Sequence, residues 1–172
     1  MEPERVAGMA AGLSGTGPVM IRRLVRGAAA GAAGTTALNA VTYLDMGLRG
    51  RPSSSTPEDS VEKIAHRLGT DIPGAETPRQ NRLQGLGALT GIATGLAVGA
   101  LYGLLEPWVG RGSVSRGAAV AGLGAMAGTI APMAALEVSD PRSWGFADWA
   151  SDAVPHAAYG VVTAAAYHAI AT

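Results

Sequence analysis

Asp45, Glu137, Asp152 and His156 are the residues of this 172-residue chain with the most chemical promise. A carboxylate beside an imidazole can hold a divalent cation or pass a proton, and Asp152 and His156 stand one helical turn apart. Whether Asp45 and Glu137 join them depends on topology. If the chain crosses a membrane four times, the first and third spans end on the face where the fourth begins. All four side chains then gather there as a candidate proton or cation site. The plainer reading is that each acid marks a helix end and reaches interfacial water. Asp152, with Ser151 beside it, also suits the N-cap of the fourth span.

Other chemistry finds no foothold. Cysteine is absent, which excludes disulfides, thiolate metal sites and cysteine nucleophiles. There is no Ser-His-Asp order, phosphate loop or metalloprotease motif, and no strand precedes the glycine-rich runs, so they are not nucleotide-binding loops. The expectation is a non-enzymatic protein without a cofactor. Net charge is zero, so whole-molecule attraction to nucleic acid has no support.

The elements that must position these residues are written in the charge pattern. Residues 27–44, 83–105, 117–136 and 153–172 contain no Asp, Glu, Lys or Arg. Each stretch reaches the roughly 18–20 residues that cross a hydrocarbon core of about 30 Å. A soluble helix shows one charged face, and none of these does. The pattern predicts an all-α integral membrane bundle of four Gly/Ala-rich transmembrane helices over about 27–46, 84–106, 116–137 and 152–171. Together they form a membrane domain at 23–172, and its principal partner is the lipid bilayer. Residues 1–22 read as a flexible tail. The basic run before residue 27 resembles a secretory n-region, but the uncharged stretch outlasts a signal peptide, so it reads as an uncleaved first span. Trp108, Trp144 and Trp149 fall at span boundaries, where indoles favour the headgroup level. Glu106 reads as a solvated helix end, and His168 lies near the opposite interface from His156.

One long connection separates the first two spans. Thr56 can cap a helix, Pro57 suits its first position, and Glu58 and Asp59 favour its positive end. Val61, Ile64, Ala65 and Leu68 follow helical spacing and Gly69 supplies a stop. The result is a short amphipathic helix at 57–68, lying at the membrane surface, against the bundle, or under a docked partner.

The strongest local pattern is in the second span, where Gly87, Gly91, Gly95, Gly99 and Gly103 recur every fourth residue. Such a stripe lets another backbone approach closely, either within one bundle or in a homo-oligomer or larger membrane complex. Asn39, on a stripe with Gly31, Thr35 and Tyr43, is expected to make an interhelical hydrogen bond or to line a solute path. The two halves also echo each other. Arg26-Gly27-Ala28-Ala29 matches Arg116-Gly117-Ala118-Ala119, and residues 93–102 align with 158–167 through both Gly and Tyr, so a two-plus-two repeat is possible. The expected role is a scaffold or accessory subunit packed through glycine faces. The alternative is a small proton or cation transporter, or a channel-like oligomer, using Asp45, Glu137, Asp152 and His156.

The phrase Arg-Gly-Ala-Ala-Ala-Gly-Ala-Ala-Gly-Thr from Arg26 and the phrase Pro155-His156-Ala157-Ala158-Tyr159-Gly160 resemble YagU-like small bacterial membrane proteins. In that group Gly/Ala-rich spans surround a proline-containing loop, and a His-x-x-Tyr-Gly phrase opens a late span. The loop at 53–57, Ser-Ser-Ser-Thr-Pro, departs from the group's Pro-Pro-Arg loop. The resemblance implies a multi-pass protein of the bacterial inner membrane and brings no biochemical activity with it. Arg22, Arg23 and Arg26 before the first span favour cytoplasmic termini.

Overall fold

A computed structural model describes residues 3–171. Among these the chain is all-α, with five helices and no strand: α1 (Pro3–Arg49), α2 (Thr56–Arg67), α3 (Glu76–Val109), α4 (Val114–Ala135) and α5 (Phe146–Ala171). A single 3₁₀ turn, Pro141–Ser143, precedes α5. Two of the helices, α3 and α4, are long and apolar enough to cross a membrane by length and composition.

Close backbone contacts set the arrangement. Gly27 meets Gly99 and Gly103, and Gly31 meets Gly95 and Gly99, so α1 and α3 run antiparallel. On its other side α1 packs on α5, where Gly34 faces Tyr159 and Thr163. Helix α4 closes the bundle against α5, with Gly122 over the His156 carbonyl and Gly160 against Ala118 and Gly122. Its contact with α3 is lighter: a Cβ on Gly124 or Gly128 would sit at an ordinary 3.6 or 3.4 Å from Val98. Helices α1 and α4 therefore point one way and α3 and α5 the other.

Small residues bring the helix axes close, and the aromatic rings fill what remains. The core holds Ala30, Tyr102, Ala121, Ala125, Tyr159, Ala164 and Tyr167. Tyr102 and Tyr167 meet edge to face with ring centroids 5.4 Å apart, a favoured geometry for aromatic pairs. Tyr159 donates a 2.6 Å hydrogen bond to the Gly95 carbonyl, and Tyr167 a 3.1 Å bond to that of Gly103. Both bonds cross the bundle diagonally from α5 to α3. The outer surface is the reverse: Leu89, Leu101, Leu123 and Val161 are more than half exposed.

The glycine stripe of α3 divides between two neighbours. Gly95, Gly99 and Gly103 pack on α1, Gly87 packs on Pro57 of α2, and Gly91 faces open space. Helix α2 spends half its apolar face on α3, burying Val61 and Ala65, while Ile64 and Leu68 stay exposed. Arg67 donates to the Ala135 carbonyl at 3.0 Å, and Arg79 pairs with Glu62. Gly69, at φ 68°, ends α2 with the paired bonds of a Schellman motif, its own N–H to His66 and that of Thr70 to Ala65.

Several expected boundaries shift. Residues 3–22, expected as a flexible tail, belong to α1. Ala7, Met9, Ala10, Ala11 and Leu13 favour helix, and no charge interrupts the chain between Arg5 and Arg22. Asp152, expected as the N-cap of the last span, lies two turns inside α5. Asp148 does the capping instead: its Oδ2 accepts the Gly145 N–H at 3.0 Å, half of a capping box. Pro132 lies in the last turn of α4. The half-buried side chain of Asn39 makes no hydrogen bond among the described residues. Thr35, four residues earlier, meets α3 instead, its hydroxyl against Gly95 while donating to Gly31 O at 2.8 Å.

Candidate functional site

The antiparallel arrangement brings the end of α1, the end of α4 and the start of α5 to one end of the bundle. The four candidate residues are all there, but they do not form one cluster. Asp45 is held by two guanidiniums, Arg49 Nε at 2.7 Å and Arg51 Nε at 2.5 Å. Arg49 Nη2 also donates to Ser151 Oγ at 2.8 Å, tying the end of α1 to the start of α5. Glu137 is exposed and sits at φ 57°, just past the end of α4. Its N–H bonds Ala134 O and that of Val138 bonds Met133 O. This is a second Schellman motif, with glutamate in the left-handed position that glycine ordinarily fills.

Asp152 and His156 are the two that meet. His156 Nδ1 lies 2.7 Å from the Asp152 carbonyl oxygen and 3.5 Å from its Oδ1. A carbonyl only accepts, so the short contact places a proton on Nδ1. Nε2 faces Thr129 Oγ1 of α4 at 3.4 Å. That hydroxyl has one proton and nearer acceptors in the Met126 carbonyl at 3.0 Å and the Ala125 carbonyl at 3.3 Å. The imidazole is buried, 8 % exposed, and the second carboxylate oxygen, Oδ2, is buried without a hydrogen-bond partner. A buried polar atom in that state is costly and ready to take a proton or a donor. Beside the ring an open groove of about 310 Å³ runs between α4 and α5, lined by Gly122, Leu123, Met126 and Val161.

The opposite end holds a second pair. Glu106, expected as a solvated terminus, is only 12 % exposed, and its Oε1 lies 3.6 Å from His168 Nε2. The same oxygen accepts the Gly112 N–H at 2.9 Å. The buried Tyr102 hydroxyl and His168 Nε2 have no hydrogen-bond partner. A sequence signal for this pair existed. The second and fourth spans of an up-and-down bundle run parallel, so residues near their C-terminal ends must meet, and Glu106 and His168 are the polar residues there.

The chain thus carries one carboxylate–imidazole pair at each end of α5. Each can accept and release a proton. Among the described residues no three His, Asp or Glu side chains converge as a metal site would require. The phrase 155–160 serves packing as well, since Pro155, His156, Tyr159 and Gly160 are all buried between neighbouring helices. Comparisons of the chain with protein-family models, curated proteins and solved structures find no match.

Proposed function

We propose that this chain is a four-span, non-enzymatic protein of the bacterial inner membrane, acting as a scaffold or accessory subunit. In it α1 and α5 span the bilayer alongside α3 and α4, and both termini are cytoplasmic. The observation that carries the reading is the use of the glycine faces. Gly27, Gly31, Gly95, Gly99, Gly103, Gly122 and Gly160 are spent on contacts within the chain, and the interior is filled by Tyr102, Tyr159 and Thr163. Close small-residue packing with leucines outside suits lipid as solvent. Only 22 % of the most apolar stretch of α3, and the same share for α4, is buried, whereas the core helix of a soluble fold is mostly covered. The parallel pairs α1/α4 and α3/α5 fit the two-plus-two repeat, and the YagU-like phrases fit the same membrane setting.

A scaffold of 17.2 kDa belongs to something larger than itself. Native electrophoresis of gently solubilised membranes is expected to show the chain in an assembly of higher mass, and migration as a monomer alone would overturn the role. A second reading, proton or cation transfer, is favoured by the unpartnered Oδ2 of Asp152 beside His156. Vesicles containing the purified chain and a pH-sensitive dye separate the two. The scaffold reading expects no flux above protein-free vesicles, and a flux that His156→Ala abolishes would replace it with the second.

A further inference from the structure

We propose that the cleft between the end of α1 and the start of α5 binds one anionic phospholipid, its phosphate on Arg49 and its acyl chain along the apolar floor. The cleft encloses about 340 Å³, and its lining includes Val41, Asp45, Arg49, Phe146, Ala150 and Val154. This inference rests on the membrane reading above, and three features of the cleft select the occupant.

The first is charge. Among the described residues Asp45 is the sole acid lining the cleft and two guanidiniums reach it, so one positive charge remains uncompensated beside it. Asp148 is close in sequence, but its carboxylate turns back to the Gly145 N–H. Asp152 faces His156 on the α4 side of α5. Arg49 is half exposed while fixed through Nε and Nη2, which leaves Nη1 directed to no partner among the described residues. A guanidinium held in this way is preorganised for a phosphate oxygen.

The second is depth. Val41 lies within the uncharged stretch of α1 and Arg49 lies eight residues later. At 1.5 Å per residue the floor and the charge are about 12 Å apart along the helix. That separation places the Arg49 guanidinium, with Ser151 and Ala150, at headgroup level, and Val41 and Val154 on the side of the hydrocarbon. The third is the wall. Phe146 stands 90 % exposed at the cleft edge, and Trp144 and Trp149, close to it in sequence, meet edge to face with centroids 5.0 Å apart. Aromatic rings at this level mark the interface. An aqueous ligand would leave the apolar floor unused, and a zwitterionic lipid would leave the excess positive charge unmatched.

The test is native mass spectrometry of the full chain released from vesicles of equal phosphatidylglycerol and phosphatidylcholine. Wild type is expected to retain phosphatidylglycerol by at least about fivefold over phosphatidylcholine, the effect of one arginine near an anionic headgroup. Arg49→Gln removes the charge and Ala147→Trp fills the cleft without touching the ion pairs; either is expected to bring the ratio near one. Because Arg49 also ties α1 to α5, Ala147→Trp carries the test if Arg49→Gln fails to fold. Equal retention of the two lipids by wild type would overturn the site, as would wild-type selectivity in Ala147→Trp. Alkaline extraction of the same vesicles distinguishes the deeper failure: a chain released from the bilayer overturns the membrane reading itself, whereas a chain that stays but shows no selectivity overturns only the lipid site.

Discussion

Replacing Gly99 by alanine adds a single methyl group at the closest approach of α1 and α3. A Cβ built there lies 2.5 Å from Gly31 Cα and 2.8 Å from Gly31 N, and closer still to the Gly27 carbonyl oxygen. Carbon contacts are optimal at about 3.5–4.0 Å, so the two helices must part by about 1 Å. All the obstructing atoms are backbone, and none can rotate away. Overpacking of this kind costs about 1–3 kcal/mol, and a rigid neighbour puts the cost toward the upper end. Alanine also improves helix propensity over glycine by about 0.5–1 kcal/mol, which offsets part of the loss. Gly91→Ala is the matched control, because it has the same propensity gain and no atom within 4 Å of the new Cβ. The difference between the two variants therefore isolates the clash, and we expect about 2 kcal/mol between their unfolding free energies. Titration with a denaturing detergent in mixed micelles, followed by helical circular dichroism, reads both midpoints. Coincident midpoints, or a Gly99→Ala protein as stable as wild type, would refute close backbone packing as what holds α1 to α3.

Two further substitutions test local features by the same unfolding measurement. Glu137→Gly relieves a left-handed backbone position that costs a side-chain-bearing residue roughly 1 kcal/mol or more, so it is expected to raise stability; a lower midpoint would show that the glutamate side chain holds the end of α4. Tyr159→Phe removes the hydrogen bond to the Gly95 carbonyl while keeping the ring, with an expected loss of about 1 kcal/mol. An unchanged midpoint there would mean that ring packing alone holds α5 against α3.

Much of this architecture was legible in the charge pattern, because excluding ionised side chains from long stretches leaves few structures besides helices. The four stretches became the four long helices, and the spacing of Val61, Ile64, Ala65 and Leu68 marked α2. What the spacing of the α3 glycines could not say was which partner each would meet. Steps of four residues advance about 40° around a helix, so five such glycines sweep too far to face a single neighbour. Gly87 finds α2, the last three find α1, and Gly91 falls between. The start of α5 was ambiguous for a local reason: Asp148 and Asp152 are both competent caps, and only the backbone turn at Gly145 decides between them. The candidate site was half legible. Adjacency on one helix fixed the Asp152–His156 pair, and the same spacing of four draws Asp45 to Arg49, while Arg51 folds back on it from beyond the end of α1. Glu106 and His168 went unpaired because each was read at its own helix end instead of across two parallel helices.

The two tyrosine hydroxyls on α5 have a mechanical consequence. They grip α3 at carbonyls eight residues apart, and they are themselves eight residues apart. Two fasteners at matched intervals fix the axial position of one rod against another, since any slide by a single residue releases both at once. Driving α5 past α3 like a piston therefore costs both bonds together, about 2 kcal/mol. The looser seam is the one between α4 and α3, where Val98 leaves ordinary clearance, whereas α4 stays close-packed on α5 through Gly122 and Gly160. Relative motion within the bundle is therefore expected first at that α3–α4 seam, with α4 and α5 moving as a pair.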